Sequence, residues 1–141
     1  VLGEHAGEPL EALCRRCHQA LRRTRGAALA LAAFDRGALA WLAVGSVQGS
    51  LAIAATPGAW HGLVQAAGLV GLKLPPLRVR RWPLAPGDTL VIATDGARAA
   101  LDAPPSPAEP PQRTADQLLA RTFTGEDDAL VLVARCRGVI P

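Results

Sequence analysis

The chain has 141 residues and a formal net charge of +3; half of it is hydrophobic and 19% is charged. That balance excludes a disordered tail and is enough for one domain with a real core. Three cysteines, an odd number, argue against a disulfide framework and fit a reducing cytoplasm.

Pro9 opens a helix, as proline often does in the first turn. Leu10, Leu13, Cys14, Cys17 and Leu21 fall on one of its faces; Arg15, Arg16, Gln19, Arg22 and Arg23 fall on the other. Cys14-Arg15-Arg16-Cys17-His18 matches the pattern that attaches c-type haem. The apolar phase of both cysteines points instead to core packing with no haem, since a free cysteine behaves as a small buried hydrophobe. Zinc would need four ligands, and Cys14, Cys17, His18 and a remote Cys136 make an unconvincing set.

Strands are expected at Gly26–Phe34, Ala38–Val44 and Leu51–Ala55, with turns at Asp35-Arg36-Gly37 and Gln48-Gly49-Ser50, giving an antiparallel meander. Residues 56–76 read as irregular, with His61 a surface histidine. Val79–Trp82 reads as an edge strand stopped by Pro83. The basic residues are scattered, and aromatics are limited to Trp41, Trp60, Trp82, Phe34 and Phe123, so no nucleic-acid face is expected. Arg78, Arg80 and Arg81 could attract a phosphorylated or acidic partner. No stretch is long and apolar enough to cross a membrane; Ala27–Val47 is divided by Asp35, Arg36 and Gly37.

Pro86-Gly87-Asp88 is turn chemistry, Leu90–Ala93 a buried strand, and Asp95-Gly96 stands where that strand stops. Gly96 permits a backbone conformation or a close approach that a side chain would forbid. Ala97–Leu101 can form a short helix. Ala103–Pro111 holds five prolines and reads as a flexible or extended surface loop. Thr114 is expected to cap a second helix carrying Leu118 and Leu119. Glu126-Asp127-Asp128 then precede a closing strand at Leu130–Val133. Three adjacent carboxylates repel one another, and a bound cation would relieve that repulsion. A solvated acidic loop is the plainer alternative.

These stretches resemble the PPM (PP2C-like) metal-dependent protein phosphatases, most closely the SpoIIE/RsbX-type branch. The resemblance rests on order and spacing: Gly87-Asp88, an apolar strand, Thr94-Asp95-Gly96, and later Asp127-Asp128 before a last apolar strand. Val44-Gly45-Ser46-Val47 and Gly71-Leu72-Lys73-Leu74-Pro75 agree with it. Periodicity alone gives an α+β domain. The resemblance implies an α/β architecture, a four-layer α-β-β-α sandwich of antiparallel sheets, and one phosphatase-like domain over residues 1–141.

It further implies hydrolysis of phosphoserine or phosphothreonine monoesters, with two Mn²⁺ or Mg²⁺ ions activating a water that attacks phosphorus in line. Asp95 and Asp127 match metal-ligand positions. Asp128 could orient a water at the metal, Gly96 meets a conformational requirement, and Glu126 is solvated. The implied substrates are phosphorylated STAS-domain proteins of a stressosome. The family's earlier Asp-Gly-x-Gly-His-Gly segment, which supplies a bridging aspartate, does not occur in the chain, and neither does methionine. The expectation is the C-terminal portion of a longer domain, binding metals weakly by itself. The alternatives are a non-catalytic PPM-fold domain that docks a signalling partner, and an unrelated α+β binding module.

Overall fold

The computed structural model describes residues 2–138, which divide into two compact units. One takes in the chain up to Val47 together with Val64–Trp82; the other takes in Gln48–Leu63 and the chain from Pro83 onward.

In the first unit, α1 (Leu10–Ala20) packs on a sheet of β1 (Leu29–Asp35), β2 (Ala38–Val44) and β5 (Arg80–Pro83), in the order β1-β2-β5. Pro9 is the residue that caps α1 rather than its first helical residue. β1 and β2 form an antiparallel hairpin whose register closes at Asp35 opposite Ala38. Arg36 and Gly37 make the turn with φ of 45° and 74°, the left-handed pair that suits the twist of a two-residue hairpin. Leu10, Leu13 and Cys14 meet Leu31, Ala40, Leu42 and Val44 in the core of this unit. Cys14 has no exposure and Cys17 is half-buried against the same core, as their helical phase requires. Burial pushes the Cys14 thiol above its ordinary pKa, and the neighbouring Cys17 adds to the rise. His18 is engaged too: its Nδ1 accepts the Gly71 N–H at 2.9 Å. On the other face of β2, Leu39 and Trp41 have no exposure, and the Trp41 indole N–H donates to the Val64 carbonyl at 2.9 Å.

The second unit holds a four-stranded antiparallel sheet in the order β4-β3-β6-β7: β3 (Gln48–Ala52), β4 (Trp60–Gly62), β6 (Thr89–Ala93) and β7 (Val131–Arg135). The expected meander is therefore wrong after its first hairpin. The turn is Gly45–Val47, Gln48 and Gly49 lie inside β3, and β3 pairs with β4 and β6 instead of returning beside β2. The cause is non-local. β6 offers a five-residue, mostly apolar partner for Gln48–Ala52 that no window around residue 50 contains.

Helix α2 (Pro111–Thr122) covers this sheet through Leu118, which packs in one cluster with Val91, Ala93, Ala97 and Ala100, while Leu119 lies against the same cluster. The cap of α2 is Pro110, four residues earlier than expected. Pro111 stands in its first turn, and Thr114 is not a cap: it is buried and its hydroxyl donates to the Pro110 carbonyl at 3.1 Å. The five-proline segment is held in place as well. Arg135 donates to the carbonyls of Glu109 at 2.6 Å and Ser106 at 3.4 Å while its Nε donates to the Thr89 hydroxyl at 3.0 Å. Among the described residues, no helix is long and apolar enough to cross a membrane.

Candidate metal centre

The strand Thr89–Ala93 is β-branched and apolar because it is buried on both faces: Leu90, Val91 and Ala93 are each at most 1% exposed. It runs antiparallel to β7 with Ala93 opposite Val131, so the end of one strand meets the start of the other. Asp95 lies two residues past Ala93, and Asp127 and Asp128 lie shortly before Val131. Topology therefore brings both acidic stretches to one corner of one sheet.

Two backbone devices close that corner. Thr94 clasps Leu130 in both directions: its N–H donates to the Leu130 carbonyl at 3.1 Å, and its hydroxyl accepts the Leu130 N–H at 2.9 Å. Gly96 lies directly against the acidic loop. A Cβ added there would collide with the Asp128 carbonyl oxygen and stand 3.0 Å from its carbonyl carbon and 3.2 Å from Ala129 Cβ. Gly96 does not have the positive φ that several other glycines show, so close approach is the reason for glycine at this position. Past it, the 3₁₀ helix Asp95–Leu101 buries Ala97 and Ala100, and the Trp60 indole N–H holds its end by donating to the Leu101 carbonyl at 2.7 Å.

The carboxylates themselves face solvent. Asp95 opens the 3₁₀ helix, 3.9 Å from the Arg98 guanidinium. Asp127 Oδ1 accepts the Asp128 N–H at 2.8 Å, which fixes the side chain against its own loop. Asp128 and Glu126 are exposed. The oxygen donors are of the kind a hard cation takes, and the gap at Gly96 is the close approach that bringing the two loops together demands. Their number is short: among the described residues no group of three or more His, Cys, Asp or Glu side chains could hold a metal ion.

Neither a family model nor a curated protein matches the chain by sequence. Solved structures do match. A chain solved in work on the bacterial stressosome, described as a modular system adapted to control secondary messenger signalling, superimposes with a TM-score of 0.81 at 24% identity over 95% of this chain. RsbX in complex with magnesium superimposes with a TM-score of 0.73 at 21% identity over 94% of it. The PP2C phosphatase domain of SpoIIE from Bacillus subtilis, solved with a fragment of its regulatory domain, gives 0.71 at 20% identity over 93%. The chain has the PP2C-type phosphatase fold. It spans 71%, 66% and 45% of those three chains respectively.

The α+β class and the RsbX/SpoIIE-like PP2C fold are thus as the sequence implied. Within that fold one participant had no role assigned from sequence. Asp88, read as part of a turn, is 3% exposed and spends both carboxylate oxygens on backbone: Oδ1 accepts the Ala54 N–H and Oδ2 the Ala85 N–H, each at 2.8 Å. It fastens the approach to β6 to the end of β3. The signal available for it was its place between a turn glycine and a fully buried strand.

Gly96→Ala tests the corner. The added methyl must displace the Asp128 carbonyl, an overpacking that costs about 1–3 kcal/mol. The expected result is a lowered unfolding midpoint together with exchange-broadened or shifted amide resonances at Asp127, Asp128 and Leu130. A variant with wild-type stability and wild-type resonances there would mean that the approach is looser than described.

Proposed function

We propose that this chain carries the core of a metal-dependent phosphoserine/phosphothreonine protein phosphatase, acting in the cytoplasm on phosphorylated STAS-domain proteins of a stressosome-like complex, within a single phosphatase domain to which residues 1–141 contribute the C-terminal portion. The observation that carries it is the clasped corner: Thr94 tied to Leu130 and Gly96 lying against Asp128, so that Asp95 and Asp127 belong to one end of one sheet. The fold supports it, because structures that superimpose include an RsbX–magnesium complex and a SpoIIE phosphatase domain presoaked with Mn.

Asp95 and Asp127 would hold the divalent cation, Mn²⁺ or Mg²⁺, with the complete site taking two ions. Bound there, the cation supplies a Lewis acid and a nucleophilic water at neutral pH. The chain's own part is positional. β6 and β7 are hydrogen-bonded strands; Asp95 stands just past the end of β6, and Asp127 stands in the loop before β7 that Thr94 ties down at Leu130. Asp128 would orient water at the corner through its carboxylate.

One observation favours a second reading, a PPM-fold domain that docks a signalling partner without catalysis: two carboxylates alone do not complete a cation's shell. A single experiment separates the two. The full-length gene product is incubated with a phosphoserine-bearing STAS protein, and phosphate release is followed with added Mn²⁺, with added Mg²⁺ and with chelator, alongside a thermal-unfolding scan under each condition. The phosphatase reading expects release only with metal, and an unfolding midpoint that rises with metal. Chelator-resistant release, or tight partner binding with neither release nor a metal-dependent midpoint, replaces it.

A further inference from the structure

We infer that Arg98 is a phosphate-binding side chain beside the acidic corner, its guanidinium taking two oxygens of the substrate's phosphomonoester while the cation takes the third. The inference rests on the phosphatase reading above and names a substrate contact within that same site. Arg98 stands three residues after Asp95 in the 3₁₀ helix, the spacing that stacks side chains in such a helix. Ala97 and Ala100 are buried and anchor that helix, so the Arg98 backbone is held while its side chain is 67% exposed. Its guanidinium lies 3.9 Å from Asp95 Oδ1, beyond hydrogen-bond distance. A surface pair of that length contributes little to stability, which leaves the fork available to a ligand.

Charge selects the ligand. Asp95, Asp127 and Asp128 belong to the corner, and a phosphate dianion is repelled by carboxylates unless cations offset them. Among the described residues, Arg98 is the one cation within ion-pair distance of those acids. Arg113 is held by Glu109 at 3.2 Å, and Arg135 by the five-proline segment and Thr89. A guanidinium meets phosphate through two parallel hydrogen bonds and keeps its charge throughout the physiological pH range. Arg98 and a divalent ion cannot both lean on Asp95 without repelling each other, so metal loading turns the fork outward. A monoester has three terminal oxygens, two for the fork and one for the cation. A diester has only two, and would leave one of these partners unmet.

The test uses the full-length gene product with a phosphoserine-bearing STAS protein and added metal. Arg98→Gln should raise KM at least about tenfold and change kcat by less than about threefold, because ground and transition states share the contact. Arg98→Lys should fall between, since it keeps the charge without the fork. Inorganic phosphate is the probe that needs no turnover. With Mg²⁺ present it should raise the unfolding midpoint of the wild type and of Arg113→Gln, which removes the same charge from α2, but not of Arg98→Gln. Mn²⁺ affinity, read by electron paramagnetic resonance, should be unchanged or tighter in Arg98→Gln. The inference is overturned if the wild type shows no Mg²⁺-dependent phosphate binding, or if Arg98→Gln leaves KM and phosphate binding unchanged. Weakened Mn²⁺ affinity overturns it too, because Arg98 would then act only by supporting Asp95, and so do equal losses from Arg113→Gln. A wild type that binds inorganic phosphate through Arg98 yet releases none from the STAS protein overturns the phosphatase reading and upholds this contact.

Discussion

Asp127→Asn is expected to cut metal-dependent phosphate release by the full-length protein at least about a hundredfold, since a cation's hold on a developing negative charge is worth several kcal/mol and each tenfold is about 1.4 kcal/mol. The substitution is a clean one. Asparagine keeps the Oδ1 that accepts the Asp128 N–H, so the loop keeps its local hydrogen bond while the carboxylate charge is lost. Asp116→Asn is the control. Asp116 is exposed on α2 and, among the described residues, accepts only the Gln112 side-chain N–H at 2.9 Å, and its loss should change turnover by less than about twofold. Turnover and the Mn²⁺-induced rise in unfolding midpoint are measured for both variants. Equal loss from the two would remove Asp127 from the chemistry.

Asp88→Ala is expected to lower unfolding free energy by about 3 kcal/mol without touching the acidic corner directly. Hydrogen bonds to a charged group are worth about 1.5–3 kcal/mol each, and the alanine loses the Ala54 and Ala85 bonds together. Asp88→Asn keeps one acceptor oxygen and turns an amide donor toward the other backbone N–H, so it should fall between. Urea unfolding of the three proteins reads the series. An alanine variant with an unchanged midpoint would mean that water replaces both bonds at no cost.

How much of this could be read in advance differs from residue to residue. The β1–β2 hairpin was legible because Arg36-Gly37 is a local turn signal between two apolar runs. β6 was legible because a buried strand needs β-branched apolar residues whichever strand it joins. The destination of β3 was not legible, since the sheet a strand enters is decided by partners some forty residues away. Asp88 and Asp95 show the same limit in polar chemistry. Both are aspartates beside a glycine at an end of one strand; only the fold buries the first and exposes the second. The role of Gly96 needed the Asp128 carbonyl, which lies thirty-two residues further along the chain. Thr114 was misread because a threonine one turn inside a helix looks, in sequence, like one at its threshold.

The strap between α2 and the preceding 3₁₀ helix shows how rigidity can be supplied before folding begins. Pro104, Pro105, Pro107, Pro110 and Pro111 each lock a φ angle in the unfolded chain as well as the folded one, so little backbone freedom is left to surrender when the strap closes. Two hydrogen bonds from one guanidinium, Arg135, then fasten it, while a third ties that guanidinium to the Thr89 hydroxyl of β6. Glycines in place of those prolines would leave both carbonyls that Arg135 reaches chemically intact, yet each glycine would return roughly a kcal/mol of chain entropy to the unfolded state. The same two bonds would then hold a segment that spends more of its time elsewhere.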